Sequence, residues 1–164
     1  MRRVLSSVVA LTLFLAVPFS TWAKPSVVLE ITTAREVVET SDGKELRKIV
    51  PAVKIDPGQT LIYTLKYRND GDETATNALI SNPIHKDTVY LVGTATGVGS
   101  EITFSIDGGK SFKKPTLLTY EITAPGGKSV KKTATPEEYT DIQWLFSAIA
   151  PGQKGEVSFQ VKVK

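Results

Sequence analysis

EVSFQVKVK, residues 156–164, alternates apolar and polar side chains without a break: Val157, Phe159, Val161 and Val163 fall on one side, Glu156, Ser158, Gln160, Lys162 and Lys164 on the other. Period-two alternation marks a strand with one dry face and one wet face. The pattern returns in TLIYTLKYRN, residues 60–69, which sets Leu61, Tyr63, Leu65 and Tyr67 against Thr60, Thr64, Lys66 and Arg68. EITFSI (101–106) adds Ile102, Phe104 and Ile106, and DIQWLF (141–146) adds Ile142, Trp144 and Phe146. No segment of helical length carries apolar residues at three-and-four spacing, so the chain is predicted to be all-β, with eight or nine strands.

Turn chemistry falls between these runs. Asp42-Gly43 suits a tight hairpin, since both central positions of such a turn favour positive φ. Pro57-Gly58, Gly126-Gly127 and Pro151-Gly152 are further reversals, Pro-Gly being the pair that pre-sets a type II turn. Antiparallel strands with one wet face predict a two-sheet β-sandwich rather than a barrel.

The N-terminus has a different character. Met1, Arg2 and Arg3 precede the apolar run VLSSVVALTLFLAV (4–17), followed by Pro18 and the small-residue exit STWA (20–23). This is the pattern of a secretory signal peptide over residues 1–23. The run is shorter than the roughly 18 to 20 residues that a bilayer span needs. Thr21 and Ala23 predict cleavage before Lys24, leaving a single domain over 24–164 with no membrane span, exported to a periplasm or beyond the cell. No cysteine follows to accept a lipid, and the formal charge falls from +3 to +1. Such a balance does not favour nucleic acid. The absence of cysteine also excludes thiol catalysis and thiolate metal ligands.

The segment DPGQTLIYTLKYRNDGDETATNALISNPIHKDTVYLVGTA, residues 56–95, resembles the bacterial family known as domain of unknown function eleven. Pro57, Gly58, Tyr63, Asn69, Gly71, Asp72, Ala75, Asn77, Pro83, Tyr90, Gly93 and Ala95 stand at the positions of that family's pattern. One departure is Asn82, where the family commonly has an acid before its proline. The resemblance implies an immunoglobulin-like sandwich of exported and surface proteins, without established catalytic activity.

SIDGGKSF (105–112) fits the Asp-box pattern found on the propeller blades of sialidases. In that motif the aspartate accepts N–H groups of its own turn, glycine supplies a left-handed conformation and the aromatic packs on the strand below. Ser105, Asp107, Gly109 and Phe112 are therefore read as a structural hairpin. A single box in a chain far too short for a six-bladed propeller predicts no sialidase. Glu137 and Glu138, as neighbours on a strand, would face opposite ways and form no acid/base pair, and His85 is a lone loop histidine. The one oxygen-rich stretch is RNDGDET (68–74), where Asn69, Asp70, Asp72 and Glu73 suit either calcium or a plain hairpin turn. No cofactor is expected. Tyr139 is a candidate tyrosine corner, whose hydroxyl bonds to nearby backbone, and Trp144 a core residue.

The most lopsided charge lies between Lys110 and Lys132, where Lys110, Lys113, Lys114, Lys128, Lys131 and Lys132 face one acid, Glu121. Such lysines protect sheet edges from pairing, or contact an anionic partner. The expected function is a non-catalytic structural or protein-interaction module of the cell envelope, its partner an envelope or extracellular protein. The alternative is a binding module for an anionic envelope glycan.

Overall fold

Residues 23–41 and 44–164 are described by a computed structural model, so the N-terminal segment 1–22 and the Asp42-Gly43 pair lie outside the described residues. Five strands form the larger sheet: β1 (Val27–Ser41), β2 (Lys44–Pro51), β3 (Thr60–Asn69), β5 (Thr88–Tyr90) and β10 (Lys154–Val163), in the order β2-β1-β3-β10-β5. The second sheet has the order β4-β9-β6, from β4 (Ala75–Pro83), β9 (Asp141–Ile149) and β6 (Ser100–Ser105). A separate ribbon pairs β7 (Thr119–Thr123) with β8 (Ser129–Thr133). Every strand pair is antiparallel. Among the described residues these ten strands exceed the eight or nine expected, because β5 is too short to show alternation and the ribbon has no apolar face of its own in the core.

The alternating runs supply the core. Leu61, Leu65, Tyr67, Val157, Phe159 and Val161 point inward from the larger sheet, and Ile80, Phe104, Ile142, Trp144 and Phe146 from the smaller, all buried. Cross-strand register stacks Tyr63 on Phe159 at 5.0 Å within one sheet. Tyr67 meets Phe146 at 4.8 Å, Tyr90 meets Phe104 at 4.9 Å and Trp144 meets Phe159 at 5.9 Å between the sheets. Two sheets closed over one apolar layer make the fold a sandwich.

The proline-glycine turns take the geometry their residues demand. Gln59 N–H donates to the Asp56 carbonyl and Gln153 N–H to that of Ala150, with Gly58 at φ 85° and Gly152 at φ 73°. At the ribbon tip, Gly127 N–H donates to the Ala124 carbonyl across Pro125 and Gly126 (φ 96°). Proline at the second position and positive φ at the third define type II turns.

Glu137 and Glu138 are not on a strand. They lie in a 3-10 turn, Pro136–Glu138, started by Thr135, whose N–H and hydroxyl both donate to Glu138 Oε2 (2.8 and 3.2 Å). Thr-Pro-Glu-Glu is a helix-start sequence, a threonine followed three residues on by glutamate, and that local preference overrides a strand reading. Tyr139 also differs from expectation. Its ring sits in the core, 4.9 Å from Phe104, but its hydroxyl makes no backbone hydrogen bond among the described residues, so no tyrosine corner forms. Burial pushes that hydroxyl's pKa up.

The sheets differ in width, and the smaller does not reach over β1. Leu29 and Ile31 stand opposite the buried Tyr67 and Leu65 by register and share their face, yet are 44% and 53% exposed. The other side of β1 is bare over part of its length as well. β2 pairs only with Ala34–Ser41, and the last contact is Ala52 N–H to the Thr33 carbonyl at 3.1 Å.

Candidate functional site

The Asp box closes the loop after β6, where Phe104 and Lys113 exchange two backbone hydrogen bonds of 2.9 Å. Inside the loop, Asp107 Oδ1 accepts the N–H groups of Lys110 (3.1 Å) and Ser111 (3.0 Å), while Oδ2 accepts the Ser111 hydroxyl (2.6 Å). Buried Ser105 donates its hydroxyl to Asp107 at 2.7 Å and accepts Gly109 N–H at 3.0 Å. Gly109 stands at φ 78°, where a side chain would be strained. Thr140, which the motif does not predict, accepts Gly108 N–H at 3.0 Å and so ties the loop to the start of β9. Phe112 is half-buried and lies outside the packed core.

This carboxylate is fully engaged by donors of its own loop. The Ser111 and Ser105 hydroxyls, then the backbone N–H of Ser111, hold its pKa well below the usual carboxylate range. A depressed folded-state pKa contributes stability that is complete above the unfolded value, near 3.9, and is lost as pH falls through the folded value. Asp107→Asn is therefore expected to lower the melting temperature at pH 7. The gap from wild type should narrow in thermal melts taken progressively below pH 4, as the unfolded chain's carboxyl takes up the proton that the folded one resists.

The six lysines do not form one surface. β8 places Lys131 opposite Glu121 and Lys132 opposite Tyr120, so these two neighbours face opposite sides of the ribbon. Lys114 pairs with Glu101 at 3.1 Å. Lys132 donates to the Tyr120 hydroxyl at 2.7 Å and lies 3.7 Å from Glu138. Lys110, Lys113, Lys128 and Lys131 have no side-chain partner among the described residues, and all four are exposed.

Tyr120, Lys132 and Glu138 form a cluster that sequence reading missed. The Tyr120 hydroxyl donates to Glu138 Oε1, and that bond, with the Thr135 N–H, holds Glu138 below the usual glutamate range. The Tyr120 bond, with help from the Glu138 charge, raises the pKa of Lys132. The cluster pins the root of the ribbon to the turn before β9, while Leu118 and Ala134 bury that root in the core. Beyond it the ribbon projects, with Ile122 and Val130 41% and 42% exposed on one face. A hollow of about 530 Å³ lies beside the cluster, lined by Asp107, Ser111, Lys113, Tyr120 and Glu138. An anion entering it would meet two carboxylates alongside one lysine, and every polar group of the cluster already has a partner.

The calcium candidate resolves into a knot of hydrogen bonds. Asn69 is fully buried: Oδ1 accepts the N–H groups of Ser26 (3.1 Å) and Gly71 (3.0 Å), and Nδ2 donates to the carbonyls of Glu73 (2.7 Å) and Ile149 (2.9 Å). Asp70 pairs with Arg68, and Asp72 Oδ1 accepts Lys24 N–H at 2.7 Å. The acids diverge. No group of three metal-ligating side chains occurs among the described residues. His85 is exposed and hydrogen-bonds within its own loop, accepting Asp87 N–H at 3.3 Å.

What remains open toward solvent is the bare stretch of β1. Thr33 directs its carbonyl to the β2 side, and residues of the same parity, Val27, Leu29 and Ile31, direct their N–H and C=O groups the same way. Beyond Ala52 no strand among the described residues lies there to receive them. The sequence signal was the run VVLEITT (27–33), whose alternation matches β3 and β10 but gives no sign that its apolar face stays uncovered. No helix among the described residues is long and apolar enough to cross a membrane. No family model, curated protein or solved structure matches the chain.

Proposed function

We propose that this chain is an exported, non-catalytic protein-interaction module of the cell envelope, an immunoglobulin-like sandwich of the kind its resemblance to the domain-of-unknown-function-eleven family implies. The observation that carries the reading is the bare edge of β1, where backbone groups without a partner strand among the described residues lie beside exposed Val28, Leu29 and Ile31. An edge of that composition recruits another strand, because main-chain hydrogen bonds supply affinity and alternate side chains supply specificity.

The glycan-binding alternative draws on the unpartnered Lys110, Lys113, Lys128 and Lys131. Their scatter over a loop, a bridge, a turn and one ribbon face favours solvation and edge protection. Pull-down from an envelope extract separates the two readings. Charge reversal of those four lysines to glutamate is expected to leave capture of a protein partner intact, and capture should persist as salt shortens the Debye length from about 10 Å at 0.1 M to about 3 Å at 1 M. Capture lost in that variant with an unchanged melting curve, and lost in salt, would establish the glycan reading instead.

A further inference from the structure

We infer that the bare edge of β1 pairs with the same edge of a second copy of this chain, antiparallel across a two-fold axis at Leu29; this rests on the interaction-module reading and names its partner. The hydrogen-bonding parity narrows the register. Val27, Leu29 and Ile31 present their N–H and C=O groups outward, so the second copy must oppose them with residues of the same parity. Centring the pair on Leu29 sets Leu29 against Leu29 and Val27 against Ile31 in both directions, all as hydrogen-bonded pairs. A strand repeated about its own midpoint is self-complementary, the condition for an isologous interface.

Side chains agree with the same register. On the inner face, Leu29 and Ile31, which the smaller sheet leaves uncovered, come side by side with those of the second copy, and Val27, partly buried against the core, ends the row. On the outer face, Glu30 falls opposite Val28, in a row that continues to Arg68 and Lys154 on the neighbouring strands. Centring on Glu30 instead keeps the parity but opposes two like charges. Centring on Ile31 would require Thr33, whose carbonyl already serves Ala52.

The ends fit too. In the Leu29 register Ser26 falls opposite Thr32, and the next residue is Pro25, which has no N–H to offer where Ala52 occupies the edge. A dimer formed this way continues one sheet through both molecules and removes the exposed edge from each.

The test uses the exported protein in sedimentation equilibrium, with disulfide trapping as a second measurement. Wild type is expected to be a dimer, and Leu29→Lys, which opposes two ammonium groups on the axis, a folded monomer. The chain has no cysteine, so a single introduced thiol reports on this contact alone. Leu29→Cys places two Cα atoms about 5.5 Å apart, within disulfide reach. Glu30→Cys places them about 8 Å apart by strand spacing, beyond it. Rapid oxidative cross-linking of Leu29→Cys and slow cross-linking of Glu30→Cys supports the register. A monomeric wild type overturns the proposal, as does equal cross-linking at both positions. If a monomeric wild type still captures an envelope protein and Leu29→Lys does not, the edge belongs to a strand of that other protein, and the interaction-module reading stands without the dimer.

Discussion

Asn69→Ala is expected to destabilise the protein by about 3 kcal/mol or more, read as a lower urea midpoint with an unchanged slope. The side chain has no exposed surface and all four of its hydrogen-bonding positions are used. Truncation strands two N–H donors and two carbonyl acceptors at once, and each buried polar group left unpaired costs roughly 1–3 kcal/mol. Water reaching the outer members, Ser26 and Gly71, offsets part of that sum. Asn69→Asp distinguishes the hydrogen-bond account from simple loss of volume. It keeps both acceptors but turns a carboxylate toward the carbonyls of Glu73 and Ile149, so it is expected to destabilise strongly although its shape is unchanged. Gly71→Ala attacks the same knot sterically, since a Cβ there would lie 2.2 Å from the Lys24 carbonyl oxygen and 2.6 Å from the Ser26 nitrogen. Both contacts are backbone and cannot swing aside. A variant set in which Asn69→Asp matches wild type would refute the knot.

Trp144→Ala is expected to cost about 3–5 kcal/mol and to lower the melting temperature by about 6–20 degrees. Trp144 is fully buried at the centre of β9, its ring 5.9 Å from Phe159 on the facing sheet, and its Nε1 donates to the Thr96 carbonyl at 2.9 Å. Removing it empties one of the contacts that join the two sheets and leaves that carbonyl without its donor. Trp144→Phe retains much of the apolar volume but not the N–H, so its loss should be smaller, about 1–2 kcal/mol. Gly97→Ala probes the same wall from outside, because its Cβ would come within 2.6 Å of Trp144 Cδ1. Near-ultraviolet circular dichroism, dominated by such a fixed tryptophan, should weaken in Gly97→Ala at temperatures where the far-ultraviolet strand signal persists. Wild-type stability in Trp144→Ala would remove this residue from its place in the core.

The two residues differ in how openly the chain announces them. Trp144 sits in a strict alternation with Ile142 and Phe146, so its inward direction follows from period two alone. Asn69 is read in sequence as a turn residue or a calcium ligand. Two of its four partners, Ser26 and Ile149, lie 43 and 80 residues away, and nothing local encodes that distance. The Asp box is legible for the opposite reason, since its donors lie within four residues of Asp107 and a short motif contains nearly the whole structure. Glu138 lies between these cases: Thr-Pro-Glu-Glu carries a local turn signal, but its contact with Tyr120 depends on where the ribbon docks.

By itself the sequence determined that this protein is all-β, where most strands run, which side of each faces inward, and where proline and glycine reverse the chain. These follow from side-chain period and backbone sterics, which act within a few residues. Tertiary structure alone decided the order β2-β1-β3-β10-β5, the division of the six lysines among several surfaces, the burial of Asn69 and the bare edge at Leu29. Leu29 and Ile31 alternate like Leu65 and Tyr67, and only the narrower second sheet leaves the first pair in solvent while it buries the second. Alternation makes a face apolar, whereas covering that face depends on strands far away in the chain or on another molecule.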